Sequence, residues 1–258
     1  MKNIRDIFYF LRTYGIKYPL FTLVYIATYN SPSFAQKVVF YDMESIQTLL
    51  KNGKSIIRLG DGEIQLLLGR PMPYDIPNAN LRRKLIAIIK QYKRQSKYIL
   101  AIPQKIVTPN SILVEESLKR IWLPFKVIYF LLFPKKVSYM DALSFRPEFD
   151  QGMFSEIVAP FLADKHVIFV TRKETIERIK ETNHMLEKPS FIITDEKNTF
   201  SKYRSIKQNI LNRIDPVNKQ NTVVLFALGP AAKVLVWELS EEGVQCIDLG
   251  KGMEFIFA

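Results

Sequence analysis

The chain has 258 residues, of which 48% are hydrophobic and 24% charged, and its formal net charge is +12. That length holds one large domain or two small ones with a real core, and 12 tyrosines with 18 phenylalanines exclude a disordered chain. The positive field attracts anions, whether nucleic acid, an acidic membrane surface or phosphorylated small molecules. A single cysteine, Cys246, excludes a disulfide framework and fits a cytosolic compartment.

Residues 3–29 read as two helical pieces broken near Gly15 and Pro19. In the first, Ile4, Ile7, Phe8 and Leu11 recur at helical spacing beside Arg5 and Arg12. Such a piece suits a core helix or a basic amphipathic helix at a membrane surface. No secretory signal is expected. The run PLFTLVYIATY is about half the ~20 residues of a spanning helix. The expectation is a cytoplasmic protein, soluble or peripheral on the inner face of the cell membrane, with residues 1–40 as a helical extension that meets a membrane surface or a partner. Asn30-Ser31-Pro32-Ser33 marks a loop, and residues 43–52 form a short helix that ends at Gly53.

Strand-like runs follow at 55–59, 98–102, 137–140, 166–170, 191–194, 223–228 and 245–249. Helix-like stretches lie between them at 80–94, 111–122, 152–163, 173–186, 202–213 and 231–242. This alternation predicts an α/β fold with a Rossmann-like, largely parallel sheet flanked by helices. Continuous apolar runs such as VVLFAL suit strands buried on both faces. No linker divides residues 41–258.

Four strand ends could carry chemistry, since open α/β sheets bind ligands beyond the carboxyl ends of their strands. The first is Arg58-Leu59-Gly60-Asp61-Gly62-Glu63. Two carboxylates two residues apart suit Mg²⁺ or Mn²⁺ with a phosphate completing the shell, and Arg58 suits the same phosphate. The same letters also read as a hairpin turn or as acids favouring a helix N-terminus. The second is Ala227-Leu228-Gly229-Pro230, with proline in its favoured first helical position and Gly243 ending the helix. It is either a phosphate site or an ordinary well-capped connection. The third, Thr194 to Phe200, contains Lys197 and Asn198 and suits a sugar, a base or plain solvent. The fourth, Asp248 to Phe255, holds Asp248 and Glu254, either of which could act as a general base. Neither GxGxxG nor a P-loop occurs. His166 and His184 have no metal-type spacing and read as structural or exposed.

These residues together resemble the GT-D fold family of bacterial glycosyltransferases. The DxE motif in its R-x-G-D-G-E context is matched by Arg58, Gly60, Asp61, Gly62 and Glu63. Arg146-Pro147 resembles the family's Arg-Pro pair, Lys197-Asn198-Thr199-Phe200 its K-N-A-F segment, and Ala227 to Ala232 with Asp248 and Gly250 its A-L-G-P-x-A and D-x-G segments. Lys251 stands where the family usually has histidine, Thr199 where it has alanine, and the tail is one residue shorter before Glu254-Phe255.

The resemblance implies that residues 41–258 form a GT-D type domain. It implies a metal-dependent hexosyltransferase that moves a sugar from a UDP-sugar donor to a hydroxyl of a glycan acceptor in polysaccharide, lipid-linked or protein-linked glycan synthesis. Asp61 and Glu63 would hold Mn²⁺ or Mg²⁺. Arg58, Gly60, Gly229 and Pro230 would hold the diphosphate, Lys197 and Asn198 would contact nucleotide or sugar, and Glu254 or Asp248 would be the base. Two other readings stay open: a non-catalytic membrane-surface assembly subunit, and a basic nucleic-acid-binding protein. The chain carries no recognised nucleic-acid module, so no nucleic-acid partner is expected.

Overall fold

The computed structural model describes residues 38–71, 75–107, 128–129, 131–146, 152–182, 186, 189–195 and 197–253. The predicted helices at 3–29 and 111–122, His184, Pro147 and Glu254 lie outside these residues. Among the described residues, no helix is long and apolar enough to cross a membrane.

The expected Rossmann-like α/β fold is present, and its sheet is parallel throughout. Its eight strands are β1 (Val39–Phe40), β2 (Ser55–Arg58), β3 (Tyr98–Ile102), β4 (Ser138–Asp141), β5 (His166–Thr171), β6 (Ser190–Ile193), β7 (Thr222–Phe226) and β8 (Gln245–Asp248). Their spatial order is β1-β4-β3-β2-β8-β7-β5-β6, and every pairing is parallel. The chain steps outward from β2 through β3 to β4, and on the other side returns from β5 through β7 to β8. First and last central strands therefore meet in the middle, with Ile56 opposite Ile247. A crevice opens at such a reversal.

Alternation along the strands splits the core in two. Ile57, Leu100, Ile102, Val224 and Phe226 face one layer of helices. Ile56, Ile99, Ala101, Val223 and Leu225 face the other. The first layer holds α3 (Ala79–Gln91), α5 (Tyr203–Arg213) and α6 (Pro230–Glu241). The second includes α1 (Met43–Lys51) and α4 (Lys173–Thr182). α1 starts where Asp42 accepts the Ser45 amide at 2.8 Å, and left-handed Gly53 follows its end.

Three local features go beyond the strand and helix pattern read from the sequence. β1 is a two-residue edge strand, too short to leave a periodic signal. Of the settings the sequence left open for Asp61 and Glu63, the helix N-terminus is the one present: they open a seven-residue helix, α2 (Asp61–Leu67). The stretch expected as a helix at 152–163 begins as a π-helix, Met153–Val158, before an α-turn, Ala159–Leu162. Pro160 offers no amide hydrogen to the Glu156 carbonyl, which disfavours the regular α-helical pattern there. Cys246 is fully buried, as an inert core thiol should be.

After β8 the chain turns through Gly250–Gly252 and packs against the segment that follows β4. A Cβ on Gly252 would lie 2.4 Å from the Phe145 carbonyl oxygen. Gly252→Ala should therefore lower unfolding stability by about 1–3 kcal/mol, as overpacking does. Chemical denaturation checks this, and wild-type stability would show that the Phe145 backbone yields freely.

Candidate active site

β2 ends at Arg58, and Gly60 caps α2 with extended backbone (φ −110°, ψ −166°). Gly60 donates its amide hydrogen to Glu63 Oε2 at 2.7 Å, so Glu63 folds back on its own helix start. The other oxygen, Oε1, lies 3.1 Å from Nζ of Lys233. Lys233 sits one turn into α6 and was not singled out by the sequence reading. Its ammonium also meets Asp248 Oδ2 at 3.0 Å and donates to the Gly229 carbonyl at 3.0 Å. An ammonium has three protons, and here three acceptors surround it. The Lys233, Glu63 and Asp248 side chains are 6%, 7% and 0% exposed. Burial alone would push the Lys233 pKa down, but Asp248 and Glu63 outweigh it and hold it above the usual lysine value.

Asp248 Oδ2 also accepts the Arg58 amide at 3.3 Å, while its Oδ1 is buried without a partner. The Arg58 guanidinium donates from Nε to the Ala142 carbonyl at 2.9 Å and from Nη1 to the Leu249 carbonyl. It also lies over the Phe145 ring. Burial pushes its pKa below the usual arginine value, with Arg146 adding to the effect and Asp248 opposing it. Arg58 therefore ties β2 to the segments after β4 and β8, and that leaves only part of its fork for a ligand.

Above this network lies a cavity of about 220 Å³. Of the residues expected there, Arg58, Gly60, Asp61, Glu63 and Gly229 line it. Pro230 takes the first position of α6 and is buried outside the lining. Lys197 and Asn198 are exposed outside the lining, and the neighbouring Thr199 lines the cavity instead. Asn198 has a left-handed backbone (φ 53°), and its Oδ1 accepts the Ile76 amide at 3.3 Å. Asp248 is fully buried beneath the cavity and paired with Lys233. It has no exposed surface with which to meet an acceptor hydroxyl.

Lys233, Asp75, Arg146 and Lys251 also line the cavity. Nε of Arg146 is buried without a hydrogen-bond partner. Only a lysine among apolar neighbours, Ala231-Ala232-Lys233-Val234-Leu235, hinted at Lys233 in the sequence. Asp75, in PMPYDIPN, carried no motif. Asp61 has no hydrogen-bond or ion-pair partner among the described residues.

The donor set can be tested against a divalent cation. Among the described residues, no group of three His, Cys, Asp or Glu side chains is placed to hold a metal. A closed protein cage is thus not formed by them. Mg²⁺ and Mn²⁺ commonly take one or two carboxylates and fill their shell with phosphate and water. Asp61, unpartnered, and Glu63, with lone pairs to spare on each oxygen, fit that mode.

A parallel sheet with carboxylates, cations and a helix start around one crevice at its central reversal defines an α/β protein whose candidate ligand site lies at that reversal. The comparison with known families is more specific: the glycosyltransferase GT-D fold matches residues 56–254, and the chain belongs to this family. The structure superposes on a glycosyltransferase from Streptococcus sanguinis, from domain of unknown function 1792, with a TM-score of 0.69, 24% identity and coverage of 83% of this chain and 81% of that one. A second solved structure, described as having a distinct glycosyltransferase fold, gives a TM-score of 0.69 at 23% identity over 84% and 79% of the two chains. Likeness at this identity establishes the fold. A probable glycosyl transferase, Gly, from Streptococcus gordonii is 25% identical over 217 residues, covering 80% of this chain. The match covers 31% of that relative's length.

Asp75 supplies a pH test. Its carboxyl is pushed up to about 6, first by burial and then by Glu63, against a pull from Lys233. The folded state therefore holds this proton more tightly than the unfolded chain, and stability falls as pH rises from about 4 through 6. In metal-free buffer, Asp75→Asn should raise the melting temperature at pH 7.5, with the gain shrinking towards pH 4. A pH-independent difference would contradict this.

Proposed function

We propose that the protein transfers a sugar from a UDP-sugar to a hydroxyl of a glycan acceptor, assisted by Mn²⁺ or Mg²⁺. The observation that carries this reading is the meeting of Asp61, unpartnered among the described residues, the start of α6 at Gly229 and the cations Arg146 and Lys251 on one cavity. In a family of glycosyltransferases, such a cavity suits a sugar diphosphate. Asp61 and Glu63 would hold the cation, which supplies charge neutralisation for the departing diphosphate. Gly229, the start of α6 and Arg146 would bind the phosphates and take up the charge that develops as the bond from sugar to diphosphate breaks. Lys233 would fix Glu63 in place. Glu254 follows the turn whose Gly250 and Lys251 line the cavity and is assigned as the base in an inverting reaction. It would take the proton of the acceptor hydroxyl as its oxygen bonds to the anomeric carbon. Asp248 is not retained in that role, since its charge is spent on Lys233. The acceptor is assigned as a polysaccharide, lipid-linked or protein-linked glycan on the cytoplasmic side.

Asp61→Asn is the direct test. UDP release from the productive donor should fall by about 100-fold or more, the scale for losing a positioned electrostatic group, with the melting temperature little changed. Unchanged turnover at saturating Mn²⁺ would remove Asp61 from the metal site.

A further inference from the structure

A second cleft, of about 460 Å³, lies beside the first and is lined by Asn78, Asn80, Arg83, Lys84, Tyr203 and Arg204, among others. No acid lines it. Lys84 is held by Glu238 at 2.7 Å, so its charge is matched. Arg83 donates from Nη2 to Asn80 Oδ1, and Arg204 donates from Nε to the Tyr203 hydroxyl at 3.3 Å. Among the described residues neither arginine meets an acid in an ion pair, and each guanidinium has N–H groups beyond the one bond given. Asn78 spends its oxygen on capping α3 and keeps its amide hydrogens.

Two helices begin at this cleft, and both break the usual charge rule. Helix N-termini favour acids, because the macrodipole is positive there. The first turns of α3 and α5 contain none. Arg82 and Arg83 lie early in α3, and Arg204 is the second residue of α5. Neither helix has an acid anywhere along its length. Arg83 and Arg204 thus share one cleft with two helix starts, and an anion there would be attracted by both.

The cleft is tied to the transfer cavity. Asp75 and Thr199 line the cavity, while Asn78 and Phe200 line the cleft. The bond from the Ile76 amide to Asn198 Oδ1 crosses between them. Three residues of chain, at most about 11 Å, separate the two along the Asp75–Asn78 segment.

We propose that this cleft is an anion subsite that takes a phosphate group carried by the acceptor. Assignment to the acceptor depends on the glycosyl-transfer reading, whereas anion binding does not. The phosphate could come from a lipid headgroup or from a soluble glycan, and the test separates the two. Inorganic pyrophosphate is titrated calorimetrically in EDTA, where metal-assisted binding in the transfer cavity is absent. Wild type should bind, Asp61→Asn should retain binding, and the surface double variant Arg83→Gln/Arg204→Gln should bind at least about 10-fold more weakly with an unchanged melting temperature. Equal affinity in the double variant, loss in Asp61→Asn or no binding by wild type would overturn the proposal. Sedimentation with phosphatidylglycerol vesicles, lost in the double variant, would assign the phosphate to a lipid. Pyrophosphate binding without vesicle binding would assign it to a soluble acceptor. If Asp61→Asn keeps full transferase turnover while the double variant loses pyrophosphate, the metal assignment fails and the anion subsite stands.

Discussion

One buried ammonium holds the middle of this protein together. Lys233 joins Glu63 at the start of α2, Asp248 at the end of β8 and the carbonyl of Gly229 at the start of its own helix. Those three segments meet at the floor of the cavity, whose rim is completed by segments after the other central strands. Taking such charges out of water is costly, and only close mutual pairing offsets the cost. The same pairing fixes the orientation of Glu63, which the Gly60 amide then locks from the other side. The position of one candidate metal ligand is thus set by a lysine on a different helix.

Arg58 extends the network sideways. Its side chain reaches the Ala142 and Leu249 carbonyls, and its amide reaches Asp248. The sheet's central reversal is thereby cross-linked on both sides of β2. Polar groups that could have served substrate are instead committed to holding the crevice open at a fixed shape. Chemistry is left to Glu63 and to residues above the network, where Asp61 has no competing partner among the described residues.

Buried strands were legible because they are apolar along their whole length. Val223 to Phe226 and Tyr98 to Ile102 need no long-range information to be read as covered on both faces. Asp61 and Glu63 were legible as a pair, while their setting stayed open between a hairpin turn and a helix N-terminus. Gly60 and Gly62 suggest a turn, and only the extended backbone of Gly60 makes it the cap of a helix. Lys233 was illegible because its carboxylate partners lie on other elements, and a lysine in a helix reads by default as exposed. Asp248 was taken for a candidate base for the same reason: the sequence shows an acid at a strand end but not the ammonium already neutralising it. Asn198 looked like a ligand contact, yet it is exposed outside the cavity lining, with a left-handed backbone and its Oδ1 taken by the Ile76 amide.

The crevice depends on Lys233 as the cation that holds it together. The most direct measurement is the unfolding free energy of Lys233→Met against wild type, by denaturant titration at neutral pH. Loss of the ammonium strands two buried carboxylates, so stability should drop by about 3–5 kcal/mol. The raised lysine pKa means that this contribution is fully present at neutral pH and fades only as pH rises above the usual lysine range. A Lys233→Met variant within about 1 kcal/mol of wild type would contradict the account: the carboxylates would then be tolerated without their cation, and the geometry of the cavity would need another cause.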